Sequence, residues 1–164
     1  MERPAIKSEF VQNIYSNQER ASLHRTENPF GVGVSMLWCS NNYVSALATQ
    51  CNLYRRYTGD STFLDMENSL TDWLFGCNPW GTSMVIGLPE TGISPRDPHS
   101  ALSHSYQIPL SGGLIDGPVK KTIFESLIGI ELSKPDANER LQTDWAVYHD
   151  DYADYSTNEP TMDG

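Results

Sequence analysis

The chain has 164 residues, 38% of them hydrophobic, and a formal net charge of −10 at pH 7. This length is enough for one domain with a buried core, and the negative charge argues against nucleic acids and anionic membranes as partners, because both select for Lys and Arg. No run reaches the roughly 18 apolar residues that a membrane span needs. Cys39, Cys51 and Cys77 form no C-x-x-C pair of the kind typical of structural zinc.

Three helices are predicted in the first half of the chain. Apolar residues at helical spacing predict the first over Ala5–Leu23 and the second over Met36–Tyr57. Between them, the Pro and Gly residues of Arg25–Gly33 indicate a loop. The third helix is predicted over Asp60–Phe75, with Asp60 as its N-cap residue. The short turn before Asp60 would pack the second and third helices as an antiparallel αα-hairpin.

The second half of the chain carries fewer helical signals. Residues 77–117 are rich in Gly, Pro, Ser and His, and loops this long inside a compact domain are usually functional. Pro118 is predicted at the first position of another helix, whose apolar residues would lie over Ile123–Ile130. A polar linker is predicted over Ser133–Asp144, and no segment alternates as a strand does. The fold class is therefore all-α, with long loops gathered where the helices end.

The segment that begins at Tyr148 is dense in acids and aromatic rings, and Glu159 lies directly behind this cluster. A carboxyl held among like charges and ring faces keeps its proton to higher pH and can donate it near neutrality. Aromatic faces beside carboxylates are also typical of a sugar-cleaving groove. Since nothing after Pro160 looks like a natural ending, the chain is interpreted as a fragment of a larger enzyme.

Four segments, taken in chain order, carry a family resemblance. Trp38–Asn42 reads W-C-S-N-N, Trp73–Ser83 ends in F-G-C-N-P-W-G-T-S, and Ser94–His99 reads S-P-R-D-P-H. Tyr148–Thr161 contains Y-x-D, then Y, E and T at the spacing Y-x-D-x4-Y-x3-E-x-T. They resemble the W-G-S-N run, the L-G-x-N-P-x-G-x-S segment, the histidine loop and the second signature of glycoside hydrolase family 9, the inverting cellulase-type enzymes.

The resemblance implies that residues 1–164 are the C-terminal segment of a single catalytic domain whose N-terminal half is absent. That domain would be an (α/α)6 barrel whose long loops form the substrate groove. The implied reaction is hydrolysis of β-1,4-type bonds in a cellulose-like or related β-glucan by an inverting acid/base mechanism. No cofactor is implied, although the family can carry calcium as a structural ion. The remainder of the catalytic domain is an implied partner, and the implied location is secreted or periplasmic.

The resemblance also implies roles for individual residues. Glu159 would be the general acid, and Asp150 would orient a neighbour or act on Glu159 through its like charge. His99 matches the active-site histidine and would hydrogen-bond a sugar hydroxyl. The remaining substrate-binding candidates are Arg96 beside His99 and the stacking platforms Trp80, Tyr148, Tyr152 and Tyr155. Asp151 and Asp154 are interpreted as surface charges. The family's catalytic base belongs to a D-A-G-D setting that this sequence does not contain.

One departure from the family pattern favours an alternative function. Ala101 stands where the family has an arginine that helps to hold the sugar, and Arg96 is a candidate substitute. Together with the missing base, Ala101 favours a non-catalytic carbohydrate-binding or vestigial glycosidase fragment. A helical interaction scaffold has less support. An unfinished barrel would expose an apolar hairpin surface, so the isolated chain is expected to self-associate or to be marginally stable.

Overall fold

The structure, a computed structural model, describes residues 4–23, 26 and 29–161, with side chains from residue 8 onwards. Its helices are α1 (Pro4–Leu23), α2 (Ser40–Thr58), α3 (Leu64–Leu74), α4 (Ala101–His104) and α5 (Lys121–Phe124), with a 3-10 turn at Glu139–Leu141. Its strands are β1 (Leu114–Ile115) and β2 (Pro160–Thr161). Within these residues every helix is too short or too polar to cross a membrane. The predicted loop 25–33 lies partly outside the described residues.

The predicted αα-hairpin is confirmed, because α2 and α3 pack against each other along one apolar stripe each. The buried apolar residues are Val44, Leu47 and Cys51 on α2 and Met66, Leu70, Trp73 and Leu74 on α3. At the edge of this contact, Nε and Nη2 of Arg55 donate to the two carboxylate oxygens of Glu67 at 2.9 and 2.8 Å. This two-bond, charge-assisted geometry fixes the two helices relative to each other.

Two helix starts in the first half differ from the prediction. Helix α2 begins at Ser40, four residues later than expected from the periodicity. Helix α3 begins at Leu64, and Asp60 is not its N-cap residue. Oδ1 of Asp60 instead accepts hydrogen bonds from the backbone N and Oγ1 of Thr62 at 2.9 and 2.7 Å. Asp60 therefore stabilises the turn before the helix, a local alternative that Asp side chains commonly adopt.

The helix predicted to begin at Pro118 is wrong in both position and length. Helix α5 is a single turn that begins at Lys121. Pro118 is buried, and its carbonyl accepts a 2.8 Å hydrogen bond from Oγ of Ser40. Val119 forms an antiparallel bridge with Val147. These contacts hold the chain extended where the local pattern favoured a helix.

Strands β1 and β2 form an antiparallel pair that the sequence did not predict. Leu114 pairs with Thr161 and Ile115 with Pro160. Each strand has only two residues, so neither is long enough to show alternation between apolar and polar residues. The pair joins the long loop 77–117 to the end of the acidic segment, residues 148–161.

The core lies where helix α3 meets the loops that follow it. Trp73 is fully buried and makes edge-to-face contacts with Phe30, Trp80 and Trp145, with ring centroids 5.9, 6.1 and 6.2 Å apart. Trp80 in turn packs on Tyr148 with a centroid distance of 5.5 Å. Aromatic contacts of this geometry add to the free energy gained from burial alone. They tie the loop segments to the hairpin.

Candidate active site

Asp154 accepts hydrogen bonds from three other residues of the acidic segment. Its side chain is fully buried, and Oδ1 accepts from N and Oγ of Ser156 at 2.9 and 2.6 Å and from N of Thr157 at 3.2 Å. Oδ2 accepts from Nδ1 of His149 and Oγ1 of Thr157, both at 2.7 Å. Burial raises the pKa of Asp154, but the hydrogen bonds from His149, Ser156 and Thr157 outweigh it and hold the pKa below its usual value. The interpretation of Asp154 as a surface charge is wrong.

Asp150 holds in place the histidine loop, residues 94–99. Its two carboxylate oxygens accept from the backbone N–H of Arg96 at 3.0 and 2.9 Å, and Oδ1 also accepts from the N–H of Asp97 at 3.1 Å. Nδ2 of Asn158 donates to the carbonyl of Asp97 at 2.9 Å. These bonds join two segments more than 50 residues apart in the chain. Asp150 therefore orients the loop, whereas its assignment as a catalytic residue stays a prediction.

His99 lies at the end of this loop, next to the residue that precedes Glu159. Its backbone N–H donates to the carbonyl of Asn158 at 2.9 Å, and its Nδ1 contacts the carbonyl oxygen of Tyr152. Because a carbonyl only accepts hydrogen bonds, this contact places the proton on Nδ1. In the neutral ring, Nε2 then remains as an acceptor. The geometry suits a histidine that receives a hydrogen bond from a hydroxyl group.

Glu159 is exposed and lies directly before strand β2. Its carbonyl accepts a 2.8 Å hydrogen bond from the backbone N–H of Asp116. Arg96 is also exposed, and His99 is half-buried. The fold thus brings the backbone of His99 next to the residue before Glu159, although the two lie in distant segments.

Two of the predicted stacking platforms are core residues, which is a correction. Tyr148 is 0% exposed and Trp80 is 5% exposed, so neither offers a ring face to a sugar. The hydroxyl of Tyr148 lies 3.4 Å from Oδ1 of Asn158, and Nε1 of Trp80 donates to Oε1 of Gln142 at 3.1 Å. Their polar atoms are paired within the fold, as buried Tyr and Trp residues usually are.

The other two predicted platforms are half-buried. Tyr152 is stacked by His99 and by His104, with centroid distances of 5.1 and 3.8 Å, so imidazole rings already occupy its stacking surface. Tyr155 lies with its ring 6.2 Å from His99, edge to face, and its hydroxyl donates to the carbonyl of Ile128 at 3.1 Å. Of the four predicted platforms, Tyr155 has the ring face that is least covered by other side chains.

Trp38 has an exposed ring that the sequence did not predict. Trp38 is 39% exposed, and its centroid lies 6.4 Å from that of Tyr155. It borders a groove of about 400 Å³ between helices α1 and α2. The polar side chains along this groove are Asn13, Asn17, Arg20, Ser35 and Gln50, and its aromatic side chains are Trp38 and Tyr43. The signal was present in the W-C-S-N-N run, but the helical pattern around Trp38 favoured a place inside a helix.

Asp116 is a second residue of interest that the sequence did not predict. It is 5% exposed. The pKa of Asp116 is raised to about 6, because burial and the charge of Glu159 raise it by more than a hydrogen bond from Cys39 lowers it. The available signal was a lone carboxylate directly after the apolar pair Leu114–Ile115, since buried carboxylates are uncommon outside functional or paired positions.

The comparison of this sequence with known families decides its membership. Residues 5–164 match the model of glycosyl hydrolase family 9. This chain belongs to that family. Among the curated proteins, no sequence matches it.

Solved structures share the fold of this family 9 chain. A metagenome-derived glycoside hydrolase family 9 endoglucanase is 24% identical with a TM-score of 0.66. A single mutant of the thermostable endoglucanase from Alicyclobacillus acidocaldarius is 23% identical with a TM-score of 0.69. AaCel9A in complex with cellobiose-like isofagomine is 23% identical with a TM-score of 0.64.

The matches cover 98%, 95% and 95% of this family 9 chain but only 27%, 28% and 28% of the respective solved chains. The chain therefore has the fold of a helical portion of such enzymes. Ala101, where the family resemblance predicts arginine, is the exposed first residue of α4. Within the described residues, no group of three or more His, Cys, Asp or Glu side chains is placed to hold a metal ion. The expectation about structural calcium stays untested.

Proposed function

We propose that this chain is the part of an inverting β-glucan hydrolase that carries the general acid, Glu159. The observation that carries this proposal is the convergence of His99 and Glu159. The histidine loop is hydrogen-bonded through Asp150 and Asn158 to the segment that ends in Glu159. An imidazole that can accept a hydrogen bond from a sugar hydroxyl and an exposed carboxyl are the parts that such a site needs, and family 9 membership supports the same reaction class.

The proposed reaction requires two carboxyl groups on opposite sides of the scissile bond. Glu159 donates its proton to the glycosidic oxygen as the bond from that oxygen to the anomeric carbon breaks. A water molecule forms the new bond to the anomeric carbon, and a carboxylate base takes its proton. In inverting enzymes the two carboxyls stand about 6.5–9.5 Å apart, so that the water fits between them. In this proposal the base lies on the rest of the catalytic domain.

A row of aromatic rings in the same segments supports a sugar substrate. The rings of Trp38, Tyr155 and His99 follow one another at centroid distances of 6.4 and 6.2 Å. Trp38 also borders the groove, which the amides of Asn13, Asn17 and Gln50 line together with apolar side chains such as Val34 and Leu47. Apolar sugar faces pack on rings, and sugar hydroxyls pair with amides and hydroxyls. The bound form of AaCel9A, with a cellobiose-like molecule, is consistent with a short β-1,4-linked glucan at such a groove.

The proposal extends to the setting of the chain. Residues 1–164 would be the C-terminal segment of one catalytic domain, and their helices would form part of an (α/α)6 barrel. The exposed Leu37, Trp38 and Tyr43, at 51%, 39% and 62% exposure, would face the remainder of that domain or its substrate. Because polymeric glucans are met outside the cytoplasm, the proposed location is secreted or periplasmic.

Hydrolysis of a β-glucan panel and of short cello-oligosaccharides tests the proposal. It should be measured for the chain itself and for the longest natural polypeptide that contains it, each with Glu159→Gln. We expect the longer polypeptide to cleave with inversion and Glu159→Gln to reduce kcat by about 10²–10⁴-fold, the usual contribution of acid/base catalysis. Glu131→Gln, a change at another exposed glutamate, is the matched control and should leave kcat unchanged.

Two results would contradict the proposal. Full activity in Glu159→Gln would show that another group protonates the leaving oxygen. Binding of glucans without cleavage by the longer polypeptide would favour the alternative, a non-catalytic carbohydrate-binding protein.

A further inference from the structure

Asp116 lies directly opposite Glu159 across the short sheet. The register pairs Leu114 with Thr161 and Ile115 with Pro160, so the next pair in the same register is Asp116 with Glu159. A backbone hydrogen bond of 2.8 Å from Asp116 to the carbonyl of Glu159 shows that the pairing continues to this position. Residues directly opposite in an antiparallel pair project to the same face, with Cβ atoms about 5 Å apart. The two carboxyl groups therefore leave the backbone on the same side.

The position of Asp116 is fixed from two sides. Its carbonyl accepts a 2.9 Å hydrogen bond from the backbone N–H of Asn41 at the start of helix α2. Its carboxyl is hydrogen-bonded by Cys39, whose backbone is left-handed with φ of 46°. Within the described residues, the titratable groups that act on the Asp116 carboxyl are Cys39 before α2 and Glu159 before β2. The Asp116 carboxyl is thus buried and rigid, whereas its partner Glu159 is exposed.

The sequence suggested that Asp150 supplies a like charge to Glu159. In the structure, Asp150 instead binds the histidine loop. Its oxygens accept from the backbone of Arg96 and Asp97. The charge of Glu159 instead acts on Asp116, where it favours the protonated form. The two carboxyls therefore repel each other when both are ionised.

We propose that Asp116 is a positioning residue of the Glu159 site, and that the two carboxyls, which leave the same face of the short sheet, form an electrostatically coupled pair. This inference deepens the proposed function and rests on it for its catalytic meaning. A general acid must hold its proton until the leaving oxygen accepts it. Two carboxyls that face each other repel when both are ionised, and protonation of either one relieves that repulsion.

The coupling is tested first without reference to activity, by NMR titration of the Asp116 carboxyl carbon in the chain. We expect Glu159→Gln to lower the titration midpoint of Asp116 by about half a pH unit, the interaction of two charges about 5 Å apart in water. Because Glu159 is exposed, this variant should fold normally. Glu131→Gln should leave the midpoint unchanged. An unchanged midpoint in Glu159→Gln would overturn the coupling.

The catalytic meaning is tested by the pH dependence of kcat/KM in the longest natural polypeptide that contains the chain. Asp116→Asn should move the basic limb of the profile to lower pH by about half a pH unit, because that limb reports the group that must be protonated. A basic limb that stays in place would overturn the positioning role. If Glu159→Gln remains fully active, the proposed function fails, while the titration still decides whether the two carboxyls are coupled.

Discussion

Replacing Asp154 by Asn tests the interpretation that this buried carboxylate holds the acidic segment together. The asparagine oxygen can take the place of Oδ1 and keep the three hydrogen bonds from Ser156 and Thr157. It cannot replace Oδ2, which accepts from Nδ1 of His149 and Oγ1 of Thr157, both at 2.7 Å. An amide nitrogen placed there would face two donors.

The expected loss follows from these two bonds. A hydrogen bond to a charged group contributes about 1.5–3 kcal/mol, and Asp154→Asn removes two of them. We therefore expect Asp154→Asn to lower the free energy of unfolding at pH 7 by about 3–5 kcal/mol. Urea denaturation followed by circular dichroism measures this change, provided that the m value is unchanged.

The same prediction has a pH dependence with a definite sign. The pKa of Asp154 in the folded chain lies below its ordinary value of 3.8. A carboxyl with a lowered pKa stabilises the fold above its unfolded pKa and loses that contribution as the pH falls through its folded pKa. The difference in unfolding free energy between the wild type and Asp154→Asn should therefore be constant from about pH 5 to pH 7 and shrink below about pH 4.

Asp72→Asn is the control, because Asp72 is an exposed residue of α3 and its substitution should change stability by less than about 0.5 kcal/mol. A loss below about 1 kcal/mol in Asp154→Asn would refute the reasoning. So would a difference between wild type and variant that grows as the pH falls.

Two further substitutions test the geometry around the candidate site. Asp150→Asn should make the amides of residues 96–97 exchange hydrogen about tenfold faster, since they lose charge-assisted bonds to the carboxylate; amide exchange followed by NMR measures this. Gly117→Ala should destabilise the fold by more than about 2 kcal/mol. Its φ is +88°, and an added Cβ would lie 2.4 Å from the Asn41 side chain; urea denaturation measures the loss.

Each of these substitutions has a matched control. Asp151→Asn should leave the amides of residues 96–97 unchanged, because Asp151 accepts from Ser133 and Ala153 instead. Gly112 has nearly the same φ, +89°, but nothing within 4 Å of an added Cβ, so Gly112→Ala reports backbone strain alone. Equal losses at Gly117 and Gly112 would contradict the proposed steric contact, and unchanged exchange in Asp150→Asn would contradict the anchoring role of Asp150.

The first half of the chain was largely predictable because helices depend on local pattern. Apolar residues three and four positions apart predicted α1 and the α2–α3 hairpin, and the structure confirms both. The start of α3 was missed because Asp60 can hydrogen-bond to its own turn as readily as it can cap a helix. Competition between two local arrangements of one side chain is not resolved by periodicity.

The candidate site was only partly predictable. Motif spacing identified His99 and Glu159, and the structure places the backbone of His99 against the residue before Glu159. Motif spacing does not reveal exposure, and Tyr148 and Trp80 are buried because the rings of Trp73 and its neighbours enclose them. Whether an aromatic ring packs in a core or borders a groove depends on residues far away in the chain.

By itself, the sequence determined the family, the helical first half and the segments that carry the candidate acid and histidine. Each of these depends on the spacing of residues that are close together in the chain. Only the tertiary structure decided that Asp154 is a buried hub, that Asp150 binds the histidine loop, and that Asp116 faces Glu159. The relations of Asp150 and Asp116 depend on strand register and on contacts between segments more than 40 residues apart, and the burial of Asp154 depends on the packing around its local hydrogen bonds. Long-range pairing is set by the packing of the whole core, so it leaves no regular pattern in either partner alone.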